Sequence, residues 1–135
     1  MKLTFLLLFS LFLVPNLPAQ TPQPAANAFV EIEKALKTYD LDSFYTWLAN
    51  TIDLEILGTP NICSKNQAKQ MLKNFFAKYT PKNFAFIHQS GNGKVQYGIG
   101  QLTAGGEIFR ITIFVYEVEK KYAIQQIRIE KSNKN

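Results

Sequence analysis

Cysteine and histidine are nearly absent from this chain of 135 residues, which contains one of each, Cys63 and His88. A single cysteine cannot form an internal disulfide, and it cannot supply the thiolate cluster of a structural zinc site. One histidine adds too few ligands for a transition-metal centre of another kind. The sequence therefore predicts no disulfide, no metal and no other cofactor.

A large excess of charge of one sign is also missing. The chain has 15 basic and 10 acidic residues, a net charge of +5, spread along the sequence. It has no basic stripe of the kind that binds nucleic acid, so a nucleic-acid partner is not expected. The basic cluster that we single out is Lys131 and Lys134, and we interpret residues 132–135 as a disordered, solvated tail.

Long apolar runs are lacking outside the N-terminus. There, Lys2 precedes an uncharged run over 3–14, which is followed by two prolines and a small residue. This is the pattern of a secretory signal peptide (1–19), and we predict cleavage after Ala19 and a secreted or periplasmic location. The run is shorter than the ~20 residues that span a bilayer, so stable membrane insertion after cleavage is not expected.

The rest of the chain is predicted to form one domain behind a short leader. Residues 20–27 contain two prolines and no large apolar residue, which predicts a flexible leader. Residues 28–131 then provide enough chain for a single hydrophobic core.

Three segments have the apolar spacing of helices. Between residues 29 and 39, apolar residues recur at spacings of three and four, which predicts an amphipathic helix. A second, short helix is predicted over 41–48, with Asp40 as its N-cap. The third begins after Ser64, which has the capping-box spacing to Gln67, and a Thr-Pro pair ends it.

The other segments alternate like strands. "NTIDLEILG" at 50–58 predicts a strand that Gly58 and Pro60 end. Four more strands are predicted, joined by short turns: "KNFAFIHQS", "KVQYGIGQLT", "EIFRITIFVYEV" and "KYAIQQIRIE". Gly98 and Gly100 lie inside one of them and predict a bend or bulge. The fold class is therefore α+β, with three N-terminal helices packed on a strongly curved, mostly antiparallel sheet that leaves a hollow.

This order resembles the nuclear-transport-factor-2-like, or cystatin-like, cone fold. More narrowly, "LANTIDLEILG", "SKNQAKQMLKNFFAKYTPKNFAFIHQSG", "YGIGQLTAGGEIFRITIF" and "IQQIRIE" resemble the domain-of-unknown-function family 4783 of small secreted bacterial proteins. The resemblance covers about residues 27–131 and implies the cone fold but no activity. The wider superfamily includes isomerases, dehydratases and non-enzymatic ligand-binding or dimerising domains, and no local motif of those enzymes occurs in this chain.

Candidate pocket residues follow from strand alternation. If the faces with Phe86 and Ile113 are covered by the helices, His88 and Tyr97 lie with them in the hollow beside Phe75. The imidazole is then a weak candidate for a general base, and the phenol for a hydrogen-bond donor. The alternative is that His88 lies half-solvated at the strand end and bonds to the neighbouring turn.

Asp53 and Glu55 share one side of the first predicted strand. Their Cβ atoms are then ~6.5 to 7 Å apart, which is wide for a pair that shares a proton. Alternating apolar residues occupy the other side, so we interpret both carboxylates as solvent-facing, with Arg110 or Arg128 as cross-strand partners. Asp53 is kept as a third weak catalytic candidate, and Glu55 as a surface charge.

The outward side of the last two strands predicts an interface. Phe114, Tyr116, Tyr122 and Ile124 alternate away from the presumed core and would form an aromatic patch, which suggests a homodimer. The alternatives are that the N-terminal helix or leader covers this patch, or that the two faces are exchanged.

The leading hypothesis is therefore an exported, non-enzymatic domain that binds a small apolar ligand or an exported protein partner as a homodimer. The alternative is a small isomerase- or dehydratase-type enzyme with its site in the hollow.

Overall fold

The computed structural model describes residues 25–133. The predicted signal peptide, the leader as far as residue 24 and the last two residues of the predicted tail lie outside this range. The first helix begins at Ala25, so the last three residues assigned to the leader are helical instead. No helix within the described range is long and apolar enough to cross a membrane.

The described residues form three helices and six strands. The helices are α1 (Ala25–Lys37), α2 (Leu41–Tyr45) and α3 (Lys65–Lys78). The strands are β1 (Leu48–Ile56), β2 (Thr59–Ser64), β3 (Pro81–Asn92), β4 (Val95–Ala104), β5 (Glu107–Val118) and β6 (Lys121–Lys131). They form one open, curved sheet in the order β2-β1-β6-β5-β4-β3, in which only β1 and β6 run parallel.

Strand β2 was not predicted, and its presence changes the helix arrangement. Two helices precede the sheet rather than three, because α3 lies between β2 and β3. Leu57 and Gly58 both have positive φ, +50° and +86°, which is the backbone of a two-residue hairpin turn. Pro60 does not end the β structure as predicted but lies within β2. Its missing N–H is tolerated there because β2 is an edge strand.

Side-chain caps fix where α2 and α3 begin. The Asp40 carboxylate accepts hydrogen bonds from the Ser43 backbone N–H (3.2 Å) and hydroxyl (2.6 Å), which hold the pKa of Asp40 below its ordinary value. The predicted capping box is confirmed, because Gln67 N–H donates to Ser64 Oγ (3.2 Å) and Ser64 N–H donates to Gln67 Oε1 (3.0 Å). α2 ends at Tyr45, before the predicted boundary, because Leu48 already pairs with β6.

The core lies between the helices and one face of the sheet. No charged or amide side chain is buried within residues 25–133. The largest completely buried side chains come from every layer: Phe29, Ile32 and Leu36 of α1, Phe44 of α2, Leu72 and Phe76 of α3, and Ile52, Leu54, Phe84, Leu102 and Phe109 of the strands. We call the helix-covered side of the sheet the inner face and the other side the outer face.

Two glycines of β4 allow aromatic rings to lie directly on the inner face. A Cβ at Gly98 would lie 2.7 Å from the Phe86 ring, and one at Gly100 would overlap the Phe84 ring. The bend predicted at these glycines appears opposite them, as an irregularity of β3 between Phe86 and His88. The rings of Phe84 and Phe86 thus fill space that side chains on β4 would otherwise take.

Candidate functional site

A bulge in β3 decides where the single histidine lies. Phe86 pairs with Gly100 and His88 with Ile99, so Ile87 is an extra residue. One extra residue exchanges the two sides of a strand, which leaves Phe86 on the inner face and places His88 on the outer face. The prediction that His88 shares a face with Phe86 is therefore wrong, because it assumed unbroken alternation.

Tyr97 also lies on the outer face. It pairs with Phe114, whereas its neighbour Gly98 pairs with the fully buried Ile113. The prediction that Tyr97 and His88 line the hollow is therefore wrong for both residues. The other pocket candidates, Phe75, Phe86 and Ile113, do lie on the inner side, where they are packed into the core or against it.

The outer face carries a cluster of rings from three adjacent strands. The ring centroids of Tyr97 and Phe114 are 5.4 Å apart, and those of His88 and Tyr97 are 5.8 Å apart. Tyr97 Oη lies 3.5 Å from His88 Nε2, at the limit of a hydrogen bond. Ile99 and Tyr116 flank these rings, and we call these five residues the outer cluster. Apart from the exposed His88, its members are half-buried.

Two residues predicted to belong to this surface point inward instead. Val115 pairs with Ile124 and Phe114 with Gln126, so Gln125 is an extra residue in β6. The shift leaves Ile124 completely buried and places Tyr122 against the core. The prediction of Tyr122 and Ile124 as interface residues is therefore wrong.

The carboxylates of β1 lie on the charged part of the outer face. Glu55 Oε2 and Arg128 Nε are 2.6 Å apart across β1 and β6, which confirms Arg128 as a cross-strand partner. Both side chains are partly exposed, so the pair contributes only ~0 to 1 kcal/mol. Arg110 lies opposite Glu130 rather than Glu55. Asp53 is exposed and does not reach the inner face, so it is not a catalytic residue of the hollow.

Cys63 is a buried free thiol on the inner side of β2. Burial raises the pKa of the Cys63 thiol, and the nearby carboxylate of Asp53 raises this pKa further. A thiol held in its protonated form is a poor nucleophile and a poor metal ligand. Within the described part of the chain, no group of three or more potential metal ligands occurs.

The inner face offers packing surface rather than proton-transfer groups. The Phe29 and Phe86 centroids are 5.2 Å apart, and those of Phe84 and Phe86 are 5.0 Å apart. A polar contact lies at the edge of β3, where Glu33 accepts a hydrogen bond of 2.9 Å from the Phe86 backbone N–H. This carboxylate caps an otherwise unpaired N–H of an edge strand, which is a structural role.

Comparisons with known proteins agree with this architecture. Residues 29–130 match the family model DUF4783, a domain of unknown function. A DUF4783 family protein from Bacteroides uniformis is 27% identical with a TM-score of 0.74, over 78% of this chain and 97% of its own. One from Bacteroides fragilis is 29% identical with a TM-score of 0.72, over 76% and 97%.

A more distant match extends the likeness to the fold alone. A candidate dehydratase of the NTF2-like family from Streptomyces avermitilis is 10% identical with a TM-score of 0.59, over 82% of this chain and 95% of its own. No curated protein matches the chain. These matches confirm both the family resemblance and the curved-sheet α+β fold predicted from the sequence.

Proposed function

We propose that this chain, which belongs to the DUF4783 family of domains of unknown function, is a non-enzymatic interaction domain that pairs with a second copy through the outer face of its sheet. The observation that carries the proposal is the outer cluster. Its aromatic side chains are only half-buried, and all the helices of residues 25–133 pack on the inner face. Exposed aromatic patches of this kind mark association surfaces.

The charges of the outer face support a second copy as the occupant. Strand pairing places three acidic and three basic residues on this face. The acidic residues are Asp53, Glu55 and Glu130, and the basic residues are Arg110, Lys121 and Arg128. The signs balance on this face, although the chain as a whole is positive. A twofold interface brings the same patch from both copies together, so a balanced patch does not repel itself.

The size of the outer face also suits a dimer. Six strands ~4.8 Å apart and ~33 Å long cover roughly 800 to 1,000 Å². A stable interface takes about 800 Å² from each partner. Association through the sheet edges is less favoured, because Glu33 caps β3 and Pro60 interrupts the hydrogen-bonding edge of β2.

The alternatives from the sequence have less support. The sequence predicts that an isomerase- or dehydratase-type site in the hollow uses His88 or Asp53 with Tyr97. All three residues lie on the outer face instead. A small apolar ligand in the hollow would have to displace the rings of Phe84 and Phe86 from β4.

A charge placed in the outer cluster tests the dimer. Phe114→Lys should convert the protein from dimer to monomer in sedimentation analysis, because a buried, unpaired ammonium is costly. Val30→Lys is the matched control, since Val30 is 62% exposed on α1 and should leave the dimer intact. The single histidine provides a second readout, because the His88 ring protons should shift with protein concentration in NMR spectra. A wild-type protein that stays monomeric at high micromolar concentration would refute the proposal.

Export is the second part of the proposal, and the sequence of residues 1–19 supports it. The intact mass of the protein recovered outside the cytoplasm should correspond to a chain that begins at Gln20. Retention of the full-length mass in the cytoplasm would contradict export and would leave the dimer test unaffected.

A further inference from the structure

A groove of about 550 Å³ separates α2 from α3, away from the outer cluster. One wall comes from the α1–α2 connection and α2, with Tyr39, Asp42 and Tyr45. The other wall is one face of α3, where Lys69 and Lys73 are one helical turn apart. A volume of this size is within the range that holds small molecules in proteins.

The buried phenol of Tyr45 lacks a hydrogen-bond partner among residues 25–133. Tyr45 is 7% exposed, and its hydroxyl oxygen is shielded from solvent without a hydrogen-bond partner among the described residues. Buried hydroxyls in folded proteins are normally hydrogen-bonded, so an unpaired one indicates a missing acceptor. Tyr45 lines the groove together with Asp42 and Tyr39, the two residues that act electrostatically on its phenol.

The Tyr45 hydroxyl is a hydrogen-bond donor at physiological pH. Burial, and after it the charge of Asp42 and the neighbouring Tyr39, raises the pKa of Tyr45 to about 12. The phenol therefore keeps its proton and offers it to an acceptor in the groove. An anionic oxygen would be the strongest acceptor for such a donor.

Two ammonium groups lie along the same groove. Lys69 Nζ is 5.6 Å from the centroid of the Tyr45 ring, so its charge is held beside the phenol. Neither Lys69 nor Lys73 has an ion-pair partner within the described residues. Asp42 is the acidic residue of the groove and stands on the opposite wall, so an anion is favoured on the α3 side.

We propose that the α2–α3 groove binds a small anionic molecule, whose carboxylate, sulfate or phosphate lies between Lys69 and Lys73 and accepts a hydrogen bond from the Tyr45 hydroxyl. Leu41 and Ala77 supply apolar contacts for the rest of such a molecule. This site is separate from the outer face, and its occupation does not depend on the dimer.

Binding of sodium benzoate and of inorganic phosphate to the exported protein tests the proposal by NMR titration. The expected result is saturable shifts of the backbone signals of residues 39–45 and 66–77 with at least one of the two probes. Tighter binding of benzoate than of phosphate would show that the apolar wall of the groove contributes to affinity. Equal binding of the two probes would show that the groove recognises only the anionic group. Both outcomes support an anion site.

Variants separate this site from general attraction to a basic protein. Tyr45→Phe should weaken binding about tenfold or more, because it removes a hydrogen bond to a charged group. Lys69→Met should weaken it as well, and Asp42→Asn should strengthen it by removing a repulsive charge. Lys78→Met is the matched control, since Lys78 lies on the same helix over a tyrosine ring, 5.3 Å from the Tyr79 centroid, outside the groove.

Three results would overturn the proposal. The first is the lack of saturable shifts with both probes. The second is equal weakening by Lys69→Met and Lys78→Met, which would indicate unspecific charge attraction. The third is unchanged binding by Tyr45→Phe, which would show that the hydroxyl does not serve as the donor. Phe114→Lys should leave anion binding unchanged, so failure of the dimer and failure of the groove are distinguishable.

Discussion

Gly100→Ala tests how tightly the inner face is filled. The new methyl group would overlap the ring of Phe84, which is completely buried and packed edge-on against Phe86. Where the backbone is compatible, replacing glycine by alanine normally stabilises the folded protein by ~0.4 to 1 kcal/mol, because it reduces the conformational entropy of the unfolded chain. Overpacking of a filled core costs ~1 to 3 kcal/mol and occasionally more. Because the Phe84 ring is enclosed, we expect the cost of overpacking to exceed the gain from the unfolded chain. The free energy of unfolding should fall by about 2 kcal/mol.

A double-mutant cycle with Phe84→Leu checks the cause of this loss. Leucine removes the ring atoms that the new methyl group would meet, so the two substitutions should couple favourably by about 1 to 2 kcal/mol. Gly98→Ala is the comparison variant. Its methyl group would meet the ring of Phe86, which is only half-buried, and would lie 3.1 Å from the ring of Phe29, so a smaller loss of about 1 kcal/mol is expected.

Urea unfolding followed by the fluorescence of the single tryptophan, Trp47, measures these free energies. Protein concentration must be the same for all variants, because a dimer adds its own association free energy. Gly100→Ala should lower Tm by about 10 °C in a domain of this size. A variant as stable as the wild type, or a loss that persists unchanged with leucine at position 84, would show that the inner face has free space and would refute the reasoning.

Three further predictions address the caps and the groove. Glu33→Ala should cost about 1 kcal/mol and speed hydrogen exchange at the Phe86 amide, whereas Glu31→Ala, on the exposed side of the same helix, should do neither. Ser64→Ala should lower the free energy of unfolding by about 1 kcal/mol in urea, because it removes one half of the capping box; an unchanged midpoint would contradict this role. Folding raises the pKa of Tyr45 from 10.0 to about 12, so its contribution to stability is complete below pH 10 and is lost as pH rises towards 12. Thermal unfolding across that range should therefore show a smaller alkaline loss for Tyr45→Phe than for the wild type.

Local patterns predicted most elements of the fold. The Ser64–Gln67 capping box and the alternation of β3 to β6 each depend on residues a few positions apart, so one sequence contains the whole signal. β2 was missed because Pro60 is a strand breaker in general, and its tolerance here depends on the edge position, which is a property of the whole sheet. Positive φ at Leu57 is equally hidden, since leucine is not a typical turn residue.

The candidate site was harder to predict than the fold, because two single residues determine which side chains lie on which face of the sheet. Ile87 in β3 and Gln125 in β6 are the extra residues of bulges, and each exchanges the faces of the residues beyond it. A bulge at Ile87 has no marker in its own residues, and only the nearby Gly98 and Gly100 hinted at an irregularity. His88, Tyr122 and Ile124 were consequently assigned to the wrong side. The α2–α3 groove was missed because its residues come from segments that no sequence pattern links.

The parallel pairing of β1 with β6 has a consequence for how the chain is made. β1 is the first strand of the sheet to be synthesised and β6 is the last, and the β1–β2 hairpin joins the rest of the sheet only through β6. The β3–β4–β5 meander can form early from neighbouring segments, whereas the hairpin must wait until β6 is available. β6 therefore completes the sheet at its centre and joins the β1–β2 hairpin to the β3–β4–β5 meander over one core.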